Sequence, residues 1–211
     1  MRISGFIGGG QWGANYQFNN WVLGVEGDFQ GIASSNRTDT LFNRATTFVP
    51  GFAPFPTNQI FAASRRLDWV GTERARIGFL LWPTFLVYGT GGLAYGDTRA
   101  SVAIGQNVFF PVRGFSPGFS VGTFRQTLAG WTAGGGVEWL FYPNWSLKVE
   151  YLYYDLGGVT IGMSPLVNSF LGGPSTVGAP FGHTRFNGNI VRAGLNYHFN
   201  WFAPPPVVAK Y

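Results

Sequence analysis

The sequence predicts an all-β protein, specifically an antiparallel transmembrane β-barrel. Three observations lead there. Seven segments alternate apolar and polar residues at period two, and the apolar positions are rich in Trp, Tyr and Phe, as expected of strands with one oily and one wet face. Only 11% of residues are charged while 18% are aromatic; soluble proteins carry about 25% charged residues. Short and long connections alternate strictly between the segments, the pattern of a barrel with tight turns at one end and longer loops at the other.

The first strand is read at about 4–18, with Trp12, Ala14, Tyr16 and Phe18 on one face and Gln11, Asn15 and Gln17 on the other. Asn19-Asn20 makes a tight turn into the second strand, about 21–33, and a long polar, Pro-bearing loop runs to about 64. The third strand, about 65–81, turns at Trp82-Pro83-Thr84 into the fourth, about 85–103, which is followed by a Gly/Pro/Phe loop to about 123. The fifth, about 124–141, turns at Tyr142-Pro143-Asn144 into the sixth, about 145–160, followed by a Gly/Ser/Pro loop to about 182. The seventh is about 184–199. Residues 1–200 are thus assigned to the barrel, and 201–211, with Ala203-Pro204-Pro205-Pro206, to a proline-rich periplasmic tail. The short turns are expected in the periplasm and the long loops outside. Phe18, Trp21, Trp82, Phe85, Phe141, Tyr142 and Trp145 flank the short turns and fit an interfacial aromatic girdle.

Other classes fit less well. Disordered chains are poor in aromatics and rich in charge. A soluble sandwich would have to hide 8 Trp, 9 Tyr and 21 Phe in one core. A lipocalin-like carrier should have an apolar interior and a polar exterior, the reverse of this parity. The apolar run from Phe79 to Tyr95 is interrupted by Pro83 and by Gly89, Gly91 and Gly92, so it reads as two strands around a turn rather than a membrane helix. Cys is absent, which excludes disulfides and thiolate sites. The strand pattern begins directly after Met-Arg-Ile-Ser, without an apolar signal segment. Seven strands place the two ends of the barrel on opposite sides of the membrane, whereas single-chain bacterial barrels have an even strand number. An open sheet would also leave backbone groups unpaired in lipid. The expectation is an eight-stranded parent whose first strand is missing here, with a gap between the first and last strands.

Several segments carry a family resemblance: Gly5-Phe6-Ile7-Gly8-Gly9-Gly10, Trp21-Val22-Leu23-Gly24-Val25-Glu26-Gly27-Asp28, Gly71-Thr72-Glu73-Arg74-Ala75-Arg76-Ile77-Gly78, Tyr142-Pro143-Asn144-Trp145-Ser146-Leu147-Lys148-Val149-Glu150-Tyr151 and Val191-Arg192-Ala193-Gly194-Leu195-Asn196-Tyr197-His198-Phe199. Together they resemble the small outer-membrane β-barrel proteins of alphaproteobacteria, often described as outer-membrane immunogenic or porin-family proteins. The resemblance covers nearly every strand. It implies that the strand at 4–18 is the second of the family's barrel, in keeping with a missing first strand, and it implies residence in the bacterial outer membrane.

Parity assigns Glu26, Asp28, Arg74, Arg76, Glu138, Lys148, Glu150 and Arg192 to the lumen, with Asn196 and His198. Four acids face four bases. An eight-stranded barrel is just wide enough to be filled by side chains, so these charges are expected to pair and plug it. The alternative is that they line an ion- or proton-conducting pore, making the protein a small-solute channel. Glu73 breaks the pattern, with lipid-facing parity; it lies near the outer interface or marks a bulge.

The balanced lumen leaves the net charge of +5 to loops and ends. Arg37, Arg44, Arg65, Arg66, Arg99, Arg113, Arg125 and Arg185 map to the outer half, and only Lys210 is basic at the short-turn end. Guanidinium groups bind phosphate bidentately. Arg65, Arg66 and Arg125 are therefore expected to form a belt that contacts lipopolysaccharide, against the plainer reading of solvated loop charges. The basic residues do not form a nucleic-acid recognition element. A homo-oligomer is compatible with the sequence, and no adhesion partner is identifiable from it.

Enzymatic signals are absent, and no cofactor or metal is expected. His183 and His198 are the only histidines and face opposite ways on one strand. Gly89-Thr90-Gly91-Gly92 and Gly134-Gly135-Gly136 lie in strand pattern and lack the Lys and helix of a phosphate loop; glycine there relieves crowding in a tight barrel. The leading expectation is an integral outer-membrane structural or surface protein that presents loops outward.

Overall fold

The computed structural model describes residues 5–34, 37–47, 55–110, 114–170 and 173–199. All described regular structure is β: β1 (Gly5–Phe18), β2 (Trp21–Ser34), β3 (Arg37–Thr47), β4 (Phe55–Trp82), β5 (Phe85–Phe110), β6 (Gly114–Tyr142), β7 (Trp145–Gly162), β8 (Leu166–Phe170), β9 (Gly173–Gly178) and β10 (Phe181–Tyr197). Seven long strands follow one antiparallel path, β1-β2-β4-β5-β6-β7-β10. The turns at 19–20, 83–84 and 143–144 are as tight as their Asn and Pro residues suggest, and Asn19 takes the left-handed φ of 53° that asparagine tolerates.

The three long connections differ from expectation. The segment 34–64 contains β3 and the first part of β4, which pair from Arg37↔Arg65 to Thr47↔Phe55. The segment 104–123 is mostly ladder, with β5 and β6 paired out to Phe110↔Gly114. The segment 161–182 contains the β8–β9 hairpin, and β8 also pairs with β6. β4 and β6 reach 28 and 29 residues, whereas a tilted strand needs roughly 9–11 to cross a bilayer. Because the short turns fix one end, all the surplus lies at the other. Alternation such as Val102, Ile104, Gln106 and Val108 keeps strand geometry going there, and the neighbouring Gly and Pro residues only punctuate it. The proline-rich tail, 201–211, and Lys210 within it lie outside the described residues.

The pleat puts the aromatic face outward. Trp12, Trp131 and Trp139 are 64%, 50% and 50% exposed, which excludes a soluble core built on them. Near the short turns Trp82 stacks edge-on against Phe85 at 5.6 Å, and Trp145 against Tyr197 at 5.1 Å. A second aromatic tier lies further along: Phe29, Trp69 and Tyr95 form a chain of ring contacts at 5.1 and 6.0 Å, and Trp131 meets Tyr153 at 5.4 Å. Two such tiers bracket the apolar band of a membrane barrel.

Glycine serves close packing here. Trp12, Tyr95, Tyr88 and Tyr154 each lie over the glycine directly opposite on the next strand, namely Gly27, Gly71, Gly136 and Gly188. A Cβ on any of the four would come within 2.5–2.7 Å of the aromatic side chain, meeting the ring at Gly27 and Gly71 and the tyrosine hydroxyl at Gly136 and Gly188. This is the aromatic cover of glycine that pins register in curved sheets.

Two bulges change which face a residue takes. On β4 the register jumps between Leu67 and Val70, so Asp68 and Trp69 together oppose the single residue Asp97. On β7 two residues, Leu156 and Gly157, oppose Phe186 between the paired Asp155 and Gly158, and Gly157 has φ 88°, the left-handed conformation a bulge glycine supplies. Beyond each bulge odd and even positions exchange faces.

The expected gap between the first and last long strands is present. Among the described residues β1 and β10 share no ladder. They flank a cavity of about 580 Å³ lined by Gly8–Gly13, Asn15 and Ala193–Phe199, with Lys148 and Arg192 at its floor. Side chains reach across it: Gln11 donates to Asn196, and Lys148 lies 3.4 Å from the Gln11 carbonyl oxygen.

Candidate functional site

Among the described residues, buried charge is concentrated in the interior of the sheet. Alternation on β2 aims Glu26 and Asp28 inward; β4 contributes Arg74 and Arg76, β6 Glu138, β7 Lys148 and Glu150, and β10 Arg192. All but Arg192 are under 9% exposed, and the Arg192 side chain is 11% exposed. Each of the eight lies within an ion pair, as the balanced count suggested.

The pairs run across the bore. Arg74 on β4 donates to Glu150 on β7 at 2.9 Å and to Asp28 on β2 at 2.9 Å, with Glu26 at 3.3 Å. Arg76 bonds Glu138 on β6 at 2.8 Å and also pairs with Glu26. Arg192 on β10 reaches Asp28 at 2.8 Å and Glu150 at 2.6 Å. Lys148 faces Glu138 in register, yet its ammonium crosses to Glu26 at 2.9 Å and lies 3.4 Å from Glu150. Strands two to five places apart in the sheet are thereby tied together.

Uncharged groups complete the network. Thr72 donates to Asp28 at 2.7 Å and Tyr88 to Glu150 at 3.0 Å. Ser146 and Asn196 donate to Glu138 at 2.6 and 3.0 Å. The Arg76 guanidinium sits 4.6 Å from the centre of the Tyr88 ring, within cation–π range. Tyr88 was not foreseen as a site residue, although its even position on β5, opposite Gly136, gives it inward parity. His198 takes the expected lumen position, 2.8 Å from Ser146 and 3.4 Å from Glu138. His183 contacts Thr160 on the other face.

Apolar layers lie on both sides of the charges. Val22, Leu86 and Tyr88, with Leu80, pack together towards the short turns, Leu86 lying beside Glu138 in register. Beyond the charges, Leu67, Val70, Ala94, Ala100, Leu152, Tyr154, Leu156, Ile161, Phe186 and Ile190 form a buried cluster. Charged residues, with Asn196 and His198, were expected in the lumen; the interior also contains these apolar layers.

Glu73 faces outward, between Gly27 and Leu93 in unbroken register, so the bulge alternative does not apply to it. Of the outer arginines, Arg66, Arg99 and Arg125 lie side by side in register on β4, β5 and β6. Arg65 takes the face of its buried partner Ala100 and donates to the Arg185 carbonyl at 2.6 Å. Arg185 pairs with Asp155, and Arg44 with Asn58. Arg113 and the Arg37 side chain lie outside the described residues. No cluster of His, Cys, Asp or Glu suited to a metal ion occurs among the described residues.

The chain matches, over residues 4–199, the family described as outer membrane protein beta-barrel domain. It is 36% identical over 201 residues to the 31 kDa outer-membrane immunogenic protein of Brucella melitensis, covering 94% of this chain and 68% of the relative; the same holds for the protein of that description from Brucella suis. It is 33% identical over 90 residues to the 22 kDa outer membrane protein of Rhizobium leguminosarum bv. viciae, covering 43% of this chain and 34% of that protein. No solved structure matches. Strand path, outward aromatics and inward charge agree with these relationships: the chain belongs to the alphaproteobacterial outer-membrane β-barrel family, an antiparallel β protein of the bacterial outer membrane.

Proposed function

We propose that the protein is a non-conducting structural and surface component of the outer membrane. Its lumen is braced shut, and its long strands carry a β-sheet out of the membrane on the extracellular side. The observation that carries this reading is the set of cross-bore ion pairs, flanked by apolar layers on both sides. A conducting pore needs a continuous wet path. Opening one here would mean separating four buried cations from four buried anions and hydrating the cluster around Leu67, Leu152 and Phe186. The chemistry also favours a structural over an enzymatic role, because each of the eight charges of the central network is engaged by an opposite charge.

Planar-bilayer recording of the refolded chain tests the proposal. Baseline current at ±100 mV, with no discrete steps across a salt series, is the expected result. Reproducible unitary steps that change ion selectivity in Glu138→Gln or Arg192→Gln would overturn it and favour the small-solute channel.

A further inference from the structure

We propose that Arg66, Arg99 and Arg125, with the aromatic chain Phe29–Trp69–Tyr95 beneath them, form a binding site for a phosphorylated lipid of the outer leaflet. The site rests on the membrane orientation given above, with the long-strand end outward, but not on whether the lumen conducts.

Register builds the basic row. Arg66 lies opposite Arg99, and Arg99 opposite Arg125, so three guanidinium stems stand about 4.5–5.5 Å apart at their bases. Like charges directly opposite one another destabilise a sheet, which makes this an uneconomical arrangement for the fold alone. Asp68 and Asp97 relieve it in part: Arg66 pairs with Asp68, and Arg99 reaches Asp68 at 2.8 Å and Asp97 at 3.4 Å, while Arg125 is 3.6 Å from Asp97. Three arginines against two aspartates leave one net positive charge. The aspartates are mostly covered, at 17% and 14% exposure, whereas the arginine side chains remain 44%, 42% and 66% exposed. Cationic donors therefore face the surroundings, and the carboxylates lie behind them.

The β4 bulge sets the row against an apolar platform. It turns both Asp68 and Trp69 outward, and it gives Arg66 the outward face that unbroken alternation from Arg74 would deny it. Trp69 then touches Phe29 on one side and Tyr95 on the other. Trp69 is three positions along the chain from Arg66, and Arg99 four from Tyr95. At about 3.3 Å per residue and a tilt near 45°, that is about 7–9 Å along the membrane normal. With the aromatic tier at the membrane interface, the row stands in the headgroup layer, where lipid phosphates lie. A lipid with anionic headgroup oxygens on the guanidinium row and acyl chains on the aromatic platform satisfies both parts; a free anion uses only the first.

The test uses the full chain refolded in zwitterionic detergent, with tryptophan fluorescence reporting binding of purified lipopolysaccharide or of its enzymatically dephosphorylated form. Salt-sensitive binding of the phosphorylated form is expected, with a loss of roughly tenfold or more in affinity for R66Q/R99Q/R125Q. R65Q, facing inward, should bind like the parent. Trp69→Leu should weaken lipid binding without altering competition by inorganic phosphate. Retained heat-modifiable mobility and β-sheet circular dichroism confirm that each variant is folded. Equal binding by the triple variant, equal binding of dephosphorylated lipid, or displacement of the lipid by inorganic phosphate at comparable concentration would each overturn the proposal. A conductance result that overturned the closed-lumen reading would leave these outcomes unchanged.

Discussion

Glu150 is the residue on which the lumen network should depend most. Its carboxylate is fully buried and receives Arg74 at 2.9 Å, Arg192 at 2.6 Å and the Tyr88 hydroxyl at 3.0 Å, with Lys148 at 3.4 Å. Replacing it with Gln keeps the volume and removes the charge. Four cations then share three anions, and Arg74, whose side chain is 0% exposed, cannot recover the difference from water. Removing one partner of a buried pair costs about 3–5 kcal/mol, so Glu150→Gln should lie in that range. Glu138 offers an internal comparison. It also lines the β1–β10 cavity, where water can replace part of what is lost, and one guanidinium rather than two bonds it directly. Glu138→Gln should therefore cost about 1–3 kcal/mol. Urea unfolding from lipid vesicles, followed by tryptophan emission, ranks the two. An apolar exchange of the central pair, Arg74→Met with Glu150→Leu, should restore much of the loss, because burying a matched pair gains little over hydrophobic packing. Equal midpoints for parent and Glu150→Gln, or a larger loss for Glu138→Gln, would refute the view that dry, multiply paired charge holds the bore together.

Two other substitutions probe the sheet itself. Glu73 lies on the lipid-facing side of the sheet, so Glu73→Leu should raise stability in vesicles by about 1–2 kcal/mol, read as a higher urea midpoint; a lower midpoint would place Glu73 in a polar contact. Gly136→Ala would put a methyl group 2.7 Å from the Tyr88 hydroxyl and 2.4 Å from a carbonyl of the next strand. It should cost about 1–3 kcal/mol through overpacking, and Tyr88→Phe combined with it should cost no more, because the ring is already displaced.

The seven long strands, the outward aromatics and the eight lumen charges were legible in the sequence because all rest on period two between the turns and the aromatic tiers, and the tight turns were legible from their Asn and Pro residues. What was not legible lies past the bulges. Nothing in Leu67-Asp68-Trp69-Val70 announces an extra residue, yet it decides that Arg66 and not Arg65 faces outward. Gly157 inverts β7 in the same way, so Val159 and Ile161 join the interior cluster from positions that simple alternation would send outward. The strand extensions were hidden by their turn residues: Gly and Pro in 104–123 read as loop, although Ser116, Ser120 and Phe124 hold one face of β6 in register. Lys148 shows the limit of local reading within the lumen. Its nearest acid in register is Glu138, but geometry across the bore sends it to Glu26.

The cavity beside β1 carries a consequence of polarity. β1 and β10 are first and last on a path of seven antiparallel members, so both run from the long-strand end towards the short turns. Copies of a protein in one bilayer share a vertical orientation, and rotation about the membrane normal preserves it. A neighbouring copy that offered its own β1 or β10 edge would thus always meet a strand of the same direction, giving a parallel ladder, the weaker kind per residue. The seam discriminates by direction. It is matched to a strand travelling from the short turns outward, which can pair antiparallel with both edges at once, and self-association in the membrane cannot provide one from either edge.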